Sequence, residues 1–377
     1  MRVVFTTWAW PSHLYALVPL AHACRAAGHE VVFASQPGLT EEIMRAGLSA
    51  AVVGTDVDTA GMVRDYLIPL NPVPAPQPGR QGKGPRALEM LLAHTESMAP
   101  DLIRLIEDWR ADLVVYDQTT LAAPLAAEVT GIPAVRLLYG VDLLQRARAV
   151  LPDALAPLAG RFGAGTVDPF GTVTVDPVPA SMQMPGDHRL IPMRFQPYNG
   201  PERKPWRPAV PRRRPRLCVS WGHTIAKVDP SRFLAGRIAT DLALAETDAD
   251  VVLAISAAQK DLVDVPGSVR VVVDTPLRDV LRDCDAFIGH GGASSILTAL
   301  SYGLPMALVP QLPDHAGHSE RTGSRGAALV LSPADPVLEA ADSLLADPGP
   351  RKAAEELREE MYGQATPAEV VGALAEL

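Results

Sequence analysis

The chain has 377 residues, of which 47% are hydrophobic and 20% are charged, and its formal net charge is −9 at pH 7. This length exceeds what a single hydrophobic core usually serves, so we expect two globular domains. The acidic balance excludes a nucleic-acid-binding protein, because such a protein needs a concentrated basic surface. The one basic cluster, Arg212 to Arg214 with Arg216, lies among prolines and indicates either a solvated linker or a contact with an anionic ligand or partner.

Cysteine usage and the N-terminal residues bear on the cellular compartment. Cys24, Cys218 and Cys284 are far apart, and none belongs to a ligand cluster, which favours a reducing cytoplasm. The first residues turn polar too early for a signal-peptide core, and no apolar run has membrane-spanning length. We therefore expect a cytoplasmic protein without stable membrane insertion.

The first half of the chain alternates between strand and helix patterns. A β-branched run at 3–6 is followed by an apolar stripe at helical spacing that ends at Gly28, with a kink or restart expected at Pro19. Further strand patterns lie at 31–34, 113–116 and 134–138, and helical stretches separate them. This alternation predicts a parallel sheet.

Two irregular stretches interrupt the alternation. The stretch 69–85 is rich in proline and glycine and predicts a long loop, which we interpret as an acceptor-side lid. The stretch 152–215 holds so many prolines that no helix is expected there, and we interpret it as the connection between domains.

The second half repeats the same organisation. Strand patterns lie at 217–220, 251–254, 269–273, 286–288, 306–309 and 328–331, and they predict a second α/β domain. The residues 351–377 are helical in pattern with a break near Pro367. We expect an N-terminal domain at 1–205, a C-terminal domain at 206–360 and a final helix at 361–377 that packs back toward the N-terminal domain.

One loop carries most of the predicted binding chemistry. The strand 286–288 leads through a small-residue loop into a helix, in the order His290, Gly291, Gly292, Ala293, Ser294 and Ser295. Glycines let a backbone approach a ligand closely, and the amides and dipole of a helix start favour negative charge. The loop predicts a diphosphate site to which His290 adds a donor; a tight turn with serine caps is the alternative.

Neighbouring loops supply further polar groups. Asp314 and His315 follow the next strand, where a carboxylate suits sugar hydroxyls, although Asp314 alone also fits a helix N-cap. Ser220 and Thr224 follow the first strand of the second domain and are candidate phosphate donors. Trp221 and His223, in the same loop, fit packing roles as well as ligand contact.

A histidine and a carboxylate follow strands of the first domain. His13 lies in the loop after the first strand and is a candidate general base, because histidine exchanges protons near neutral pH. Asp117 follows the strand 113–116 and would fix the imidazole tautomer by bonding its far nitrogen. A loop histidine without a role is the alternative.

Taken together, these motifs resemble family 1 glycosyltransferases over almost the whole chain. The resemblance rests on Ser12-His13, Pro19-Leu20-Ala21, Gly28-His29-Glu30-Val31 and the later His-Gly-Gly, Pro-Gln and Asp series. The chain looks like the actinobacterial enzymes that attach deoxysugars to polyketide and related natural products, in antibiotic biosynthesis. This implies a GT-B fold of two facing Rossmann-like domains with parallel sheets, an N-terminal acceptor domain, a C-terminal donor domain, no catalytic metal and inversion at the sugar carbon.

The resemblance also assigns roles to residues. It implies that His13 is the base and Asp117 its partner, that His290 contacts the diphosphate, and that 291–295 is the phosphate loop. It implies that Asp314 binds the sugar and that Thr275, Pro276 and Leu277 grip the nucleobase through their backbone. Trp8, Trp10, Tyr66 and Tyr139 fit acceptor contacts, and core packing is an equal interpretation. No cofactor is implied beyond the nucleotide-sugar donor, and the sequence leaves a homodimer open.

Three departures from the family pattern bear on the donor. Gly289 stands where the family has a first histidine, Ser294-Ser295 replaces Gly-Thr, and His315 replaces a glutamine that reads sugar hydroxyls. These changes favour a TDP-deoxysugar over an ordinary hexose such as glucose.

Several rival functions fit the same motifs. His13 is present and Gly140 lies near the place of the acid that serves carbon-glycosylating relatives, which favours attack by oxygen over attack by carbon. A sugar-nucleotide epimerase of the same fold and a non-catalytic auxiliary protein are two further rivals. Fold alone does not decide between them.

Overall fold

The computed structural model describes residues 1–64, 67–68, 84–201, 214–245 and 248–377. The described residues form two α/β domains, one on a seven-stranded and one on a six-stranded sheet, and every strand pair is parallel. The predicted fold class is confirmed. Most of the predicted lid at 69–85 and the predicted domain boundary at 205 lie outside the described residues.

The N-terminal sheet has the order β3-β2-β1-β4-β5-β6-β7. Its strands are β1 Arg2–Thr6, β2 Glu30–Ser35, β3 Ala50–Val52, β4 Leu113–Asp117, β5 Ala134–Leu137, β6 Val173–Asp176 and β7 Leu190–Pro192. The chain builds outward from β1 in one direction and returns to add β4 on its other side. This makes β1 and β4 the point at which strand order reverses.

Six helices within the described ranges accompany this sheet: α1 Pro11–Ala26, α2 Thr40–Arg45, α3 Thr59–Arg64, α4 Gly84–Trp109, α5 Ala122–Thr130 and α6 Leu151–Arg161. The first begins with Pro11, whose missing N–H would be unpaired there in any case. It continues through Pro19, so the expected restart does not occur. Pro19 removes one hydrogen bond of the helix. Buried leucines on both sides of it, Leu14, Leu17 and Leu20, nevertheless hold the helix against the sheet.

The interpretation of 152–215 as a helix-free connection is wrong. The helix α6 runs through Pro157, because Leu151, Leu155 and Ala159 recur at four-residue spacing and are all buried. The same stretch supplies β6 and β7, which complete the N-terminal sheet. The prediction gave the many prolines of this stretch more weight than the short apolar periodicity from Leu151 to Ala159.

The C-terminal sheet has the order β10-β9-β8-β11-β12-β13. Its strands are β8 Arg216–Ser220, β9 Asp250–Ile255, β10 Arg270–Val273, β11 Ala286–Gly289, β12 Met306–Leu308 and β13 Ala328–Val330, as the sequence predicted to within a residue or two. Strand order reverses here between β8 and β11.

Eight helices follow among the described residues of this half: α7 Thr224–Val228, α8 Ala235–Leu244, α9 Leu277–Leu281, α10 Ala293–Ser301, α11 Pro313–Ser324, α12 Val337–Ala346, α13 Pro348–Tyr362 and α14 Pro367–Leu374. The last of these lies on the N-terminal domain. Its Val370, Val371 and Leu374 are buried in one cluster with Leu14 and Leu17 of α1. No described helix is long and apolar enough to cross a membrane.

A buried polar network braces the loops beyond β5 and β6. Arg136 is fully buried and donates to both carboxylate oxygens of Asp142, at 3.2 and 2.7 Å. Gln183 donates to Asp176 at 3.0 Å, and its amide oxygen accepts from the backbone of Asp142 at 2.7 Å. Burial raises the pKa of Asp176 to about 7, although hydrogen bonds from the Val178 backbone and the Gln183 side chain act to lower it. The network ties 139–145 to 176–184.

Candidate functional site

Each sheet places polar loops at the point where its strand order reverses. In the N-terminal sheet His13 follows β1 and Asp117 ends β4, and the two strands are neighbours. In the C-terminal sheet Ser220 ends β8 and His290 follows β11, and these are again neighbours. In open parallel sheets, ligands bind in the crevice outside such points.

The structure brings His13 and Asp117 together. His13 lies in the first turn of α1 rather than in a loop before it. Its Nδ1 lies 3.1 Å from Oδ1 of Asp117, although the two residues are 104 positions apart. The carboxylate is fully buried, whereas 11% of the histidine side chain remains exposed.

Asp117 is held by a ring of donors. Thr7 and Thr120 donate their hydroxyls to Oδ2, and Thr119 donates both its hydroxyl and its backbone N–H to Oδ1. Burial alone would raise the pKa of Asp117, but His13 and the hydroxyls of Thr119 and Thr120 outweigh it and lower this pKa to about 2. The side chain is therefore a carboxylate at neutral pH.

This carboxylate fixes the tautomer of His13. A carboxylate only accepts hydrogen bonds, so Nδ1 of His13 carries a hydrogen and, in the neutral ring, Nε2 keeps the free electron pair. The hydrogen-bond contacts that Asp117 and Thr119 make with the ring of His13 are both at Nδ1. The basic nitrogen is left for a proton from outside the pair.

Aromatic rings flank the histidine on two sides. The ring centroids of Trp8 and Tyr139 lie 4.6 and 4.4 Å from that of His13. Trp8 also stacks on His94 at 4.6 Å, and burial with the nearby His13 lowers the pKa of His94 to about 4. His94 was not among the residues predicted from the sequence, because it lies within the long helix α4 and belongs to no motif.

The aromatic residues predicted to face an acceptor have different surroundings. Trp8 and Trp10 are 3% and 9% exposed, so most of each ring is packed against protein. Trp10 donates its indole N–H to the hydroxyl of Thr224 at 3.1 Å, which joins the two domains. Tyr139 is half-buried beside His13. Tyr66 lies outside the described residues.

The loop after β11 packs its backbone closely against neighbouring groups and leads into the start of α10. Gly291 has φ +84°, and an added Cβ would lie 2.3 Å from the Ser319 hydroxyl and 3.0 Å from the His315 carbonyl. Gly292 is the N-cap of α10 and no described side chain caps this helix, so Ser294 and Ser295 do not act as caps. Ala293, Ser294 and Ser295 are half-buried. The first-turn amides therefore carry no side-chain cap from the described part of the chain.

Close packing explains one departure from the family pattern. A Cβ on Gly289 would lie 2.5 Å from the Phe287 ring and 3.1 Å from the Ser220 carbonyl. A histidine at this position has no room beside that ring. The single histidine of the motif, His290, contacts the glycine loop instead, since a Cβ on Gly292 would lie 2.5 Å from its Nε2.

His290 and His315 are buried together and uncharged at neutral pH. Their ring centroids lie 4.6 Å apart with the planes at 78°. Burial, reinforced by His315 and His223, holds the pKa of His290 well below its usual range, and burial also lowers the pKa of His315. The Nδ1 atoms of both rings are buried without a hydrogen-bond partner among the described residues.

The other predicted donor-side residues lie around this loop. Asp314 is half-buried in the first turn of α11, whose N-cap is Leu312, so Asp314 is not the cap. The hydroxyl of Ser220 donates to the Ala254 carbonyl at 3.0 Å. Thr275 and Pro276 precede α9 and Leu277 begins it, with Pro276 as the N-cap.

The ionised state of Asp117 predicts a pH dependence of stability. Its pKa is about 2 in the folded protein against 3.8 for the free side chain, so its contribution is present above pH 4 and lost as the pH falls toward 2. Between pH 5 and pH 3 we expect the wild type to lose roughly 1 kcal/mol more unfolding free energy than Asp117→Asn. Urea unfolding at both pH values measures this difference, and parallel losses in the two proteins would contradict it.

Comparison with known proteins identifies the family. Residues 22–222 match the N-terminal domain and residues 240–377 the C-terminal domain of erythromycin biosynthesis protein CIII-like proteins. The chain is 34% identical to 3-alpha-mycarosylerythronolide B desosaminyl transferase of Saccharopolyspora erythraea, covering 100% of this chain and 98% of the relative. It is 35% identical to the TDP-daunosamine transferase of Streptomyces peucetius, covering 100% and 97%.

A solved structure agrees with these matches. The glycosyltransferase VinC in complex with DTDP superposes with a TM-score of 0.80 at 31% identity, covering 100% of this chain and 99% of that one. This confirms the predicted GT-B fold and the resemblance read from the sequence motifs. The chain belongs to the erythromycin biosynthesis protein CIII-like family and is a glycosyltransferase.

Proposed function

We propose that the protein transfers a deoxysugar from TDP to a hydroxyl of a polyketide-type or similar small acceptor, with inversion at the sugar carbon. The observation that carries the proposal is the His13–Asp117 pair, in which the carboxylate bonds Nδ1 and leaves Nε2 of His13 as the basic nitrogen. At the other reversal point, the start of α10 has no side-chain cap from the described residues. One site holds a base and the other suits an anion.

The donor assignment rests on the loop after β11 and on the relatives. The uncapped amides of α10 and the close backbone at Gly291 suit a diphosphate. His290 adds a neutral imidazole whose buried Nδ1 has no partner among the described residues. A relative is named for a TDP-sugar, and the structure of VinC holds DTDP. TDP is therefore the nucleotide we expect.

The sugar is expected to lie against the start of α11. Asp314 offers a carboxylate to sugar hydroxyls, and His315 stands beside it where the family pattern has glutamine. Because a buried neutral imidazole offers fewer hydrogen bonds than an amide side chain, this site suits a sugar with fewer hydroxyls. The named relatives that transfer desosamine and daunosamine agree with a deoxysugar.

The transfer step follows from the two sites. The acceptor hydroxyl gives its proton to Nε2 of His13 as its oxygen bonds to the anomeric carbon. The bond from that carbon to the diphosphate breaks on the opposite face, and the leaving oxygen takes the electron pair. Asp117 stabilises the imidazolium that forms, and the helix start with His290 stabilises the departing charge. We propose that this step needs no metal ion.

Space around Gly140 favours attack by oxygen over attack by carbon. A Cβ on Gly140 would lie 2.6 Å from the Ala293 Cβ and 2.9 Å from the His318 ring. An acidic side chain therefore has no room at Gly140, which lies near the place of the acid that serves carbon-glycosylating relatives. The intact His13–Asp117 pair also argues against a non-catalytic auxiliary protein. Cytoplasmic location and a homodimer stay predictions.

Replacing His13 separates catalysis from donor binding. For His13→Ala we expect transfer to fall by about 10² to 10⁴-fold, since the base is lost, with TDP affinity within about twofold of wild type. His22→Gln on the same helix is the control, because His22 lies away from the pair and contacts the Ala46 carbonyl at 2.9 Å. Turnover and calorimetric TDP titration of both variants decide the assignment; lost TDP binding with retained transfer would overturn it.

Two glycine substitutions test the donor loop. Gly291→Ala adds a Cβ that meets Ser319 and the His315 backbone, so we expect TDP affinity to fall by about tenfold or more. Gly131→Ala is the matched control, because Gly131 also has a positive φ, +72°, but no described atom lies within 4 Å of the added Cβ. Equal TDP affinities in the two variants would show that this loop does not hold the diphosphate.

A further inference from the structure

The helix α11 contacts both halves of the molecule. Its first turn carries Asp314 and His315 beside the loop after β11. One and two turns further on, Gly317, His318 and Arg321 contact the N-terminal domain. We call the four N-terminal-domain residues that receive it the α11 seat: Gly140, Leu143, Met182 and Gln183.

Two glycines allow the helix to approach the seat. A Cβ on Gly317 would lie 2.7 Å from the Leu143 side chain. A Cβ on Gly140, on the opposite side of the contact, would lie within 2.9 Å of both Ala293 and His318. The separation between α11 and the seat is therefore set by the absence of side chains at both positions.

Arg321 fastens the helix to the seat. Its Nε donates to the Met182 carbonyl and its Nη2 to the Gln183 carbonyl, each at 2.7 Å. These are charge-assisted hydrogen bonds with a fixed fork geometry. The side chain of Gln183 is in turn held by Asp142 and Asp176. The hydrogen bonds of Arg321 thus connect α11 to the buried polar network of the N-terminal domain.

A chain of rings joins the same helix to the base. The His318 ring meets the Tyr139 ring edge-on with centroids 6.5 Å apart, and Tyr139 lies against His13 at 4.4 Å. Burial lowers the pKa of His318 to about 4, so the ring packs uncharged. Both of its nitrogens are buried without a hydrogen-bond partner among the described residues. Burying these polar atoms unpaired lowers the stability of the fold.

We propose that the α11 seat sets the position of the sugar held by Asp314 relative to Nε2 of His13. Gly140, Gly317 and Arg321 are positioning residues in this proposal, which rests on the proposed function. The nucleotide diphosphate is held within the C-terminal domain, so its affinity does not depend on the seat. Misplacing the sugar by about 1 Å slows transfer strongly, and water then competes for the donor.

The kinetic test replaces Arg321 by methionine. For Arg321→Met we expect kcat for transfer to fall by about tenfold or more and the fraction of donor lost to hydrolysis to rise, while the TDP Kd stays within about twofold. Arg325→Met is the control, since Arg325 is exposed one turn further along the same chain segment. Two results would overturn the proposal. One is an unchanged kcat with an unchanged fraction of donor lost to hydrolysis, and the other is a TDP affinity that falls in parallel with kcat.

A second pair of variants covers the case in which Arg321→Met does not fold. Gly317→Ala should show the same separation of kcat from TDP affinity. Gly372→Ala in α14 should show no change, because no described atom lies within 4 Å of its added Cβ. A Gly317→Ala protein with the kcat of the wild type and the same fraction of donor lost to hydrolysis overturns the proposal. If the wild type itself transfers no sugar, the proposed function fails.

A distance measurement tests the seat independently of turnover. Spin labels on Met44→Cys and Leu244→Cys, which are 57% and 69% exposed and lie in different domains, report the domain separation. The native cysteines are buried. We expect Arg321→Met to broaden or shift the distance distribution of the TDP-bound protein, and Arg325→Met to leave it unchanged. An unchanged distribution in Arg321→Met overturns the proposal whether or not the wild type is active.

Discussion

The contact between His13 and Asp117 depends on the parallel pairing of β1 with β4. That register sets Thr6 opposite Tyr116, so the residues that follow each strand emerge together. The ring of threonine donors then keeps the buried Asp117 ionised, which fixes His13 in one tautomer. A slip in the pairing of these strands would separate His13 from Asp117, so the role proposed for this pair depends on the register.

The two domains use histidine in opposite ways. In the N-terminal domain a carboxylate holds the ring in one orientation and leaves its second nitrogen basic. In the C-terminal domain burial keeps His290 and His315 neutral, and each has a nitrogen without a partner among the described residues, beside an uncapped helix start. The first arrangement suits proton transfer, and the second suits the binding of an anion without a competing ion pair.

Much of this architecture could be predicted from local sequence patterns. The β-branched runs located ten strands, and the rule that ligands bind beyond parallel strands selected His13, Asp117 and His290. The short strands β3, β6 and β7 and the helix α6 were missed, because their signals are brief and prolines obscured those within 152–215. The Trp10–Thr224 bond, the place of His94 and the α11 seat could not be predicted, since each depends on contacts between segments far apart in the chain.

The stereochemistry of transfer tests the central claim most directly. A single displacement by an acceptor hydroxyl that His13 deprotonates must invert the anomeric carbon, whereas a covalent sugar–enzyme intermediate would retain its configuration. The measurement is proton NMR of the first-formed product from a TDP-deoxysugar of known anomeric configuration and a polyketide alcohol. The account predicts the inverted glycoside, and a retained configuration would contradict it.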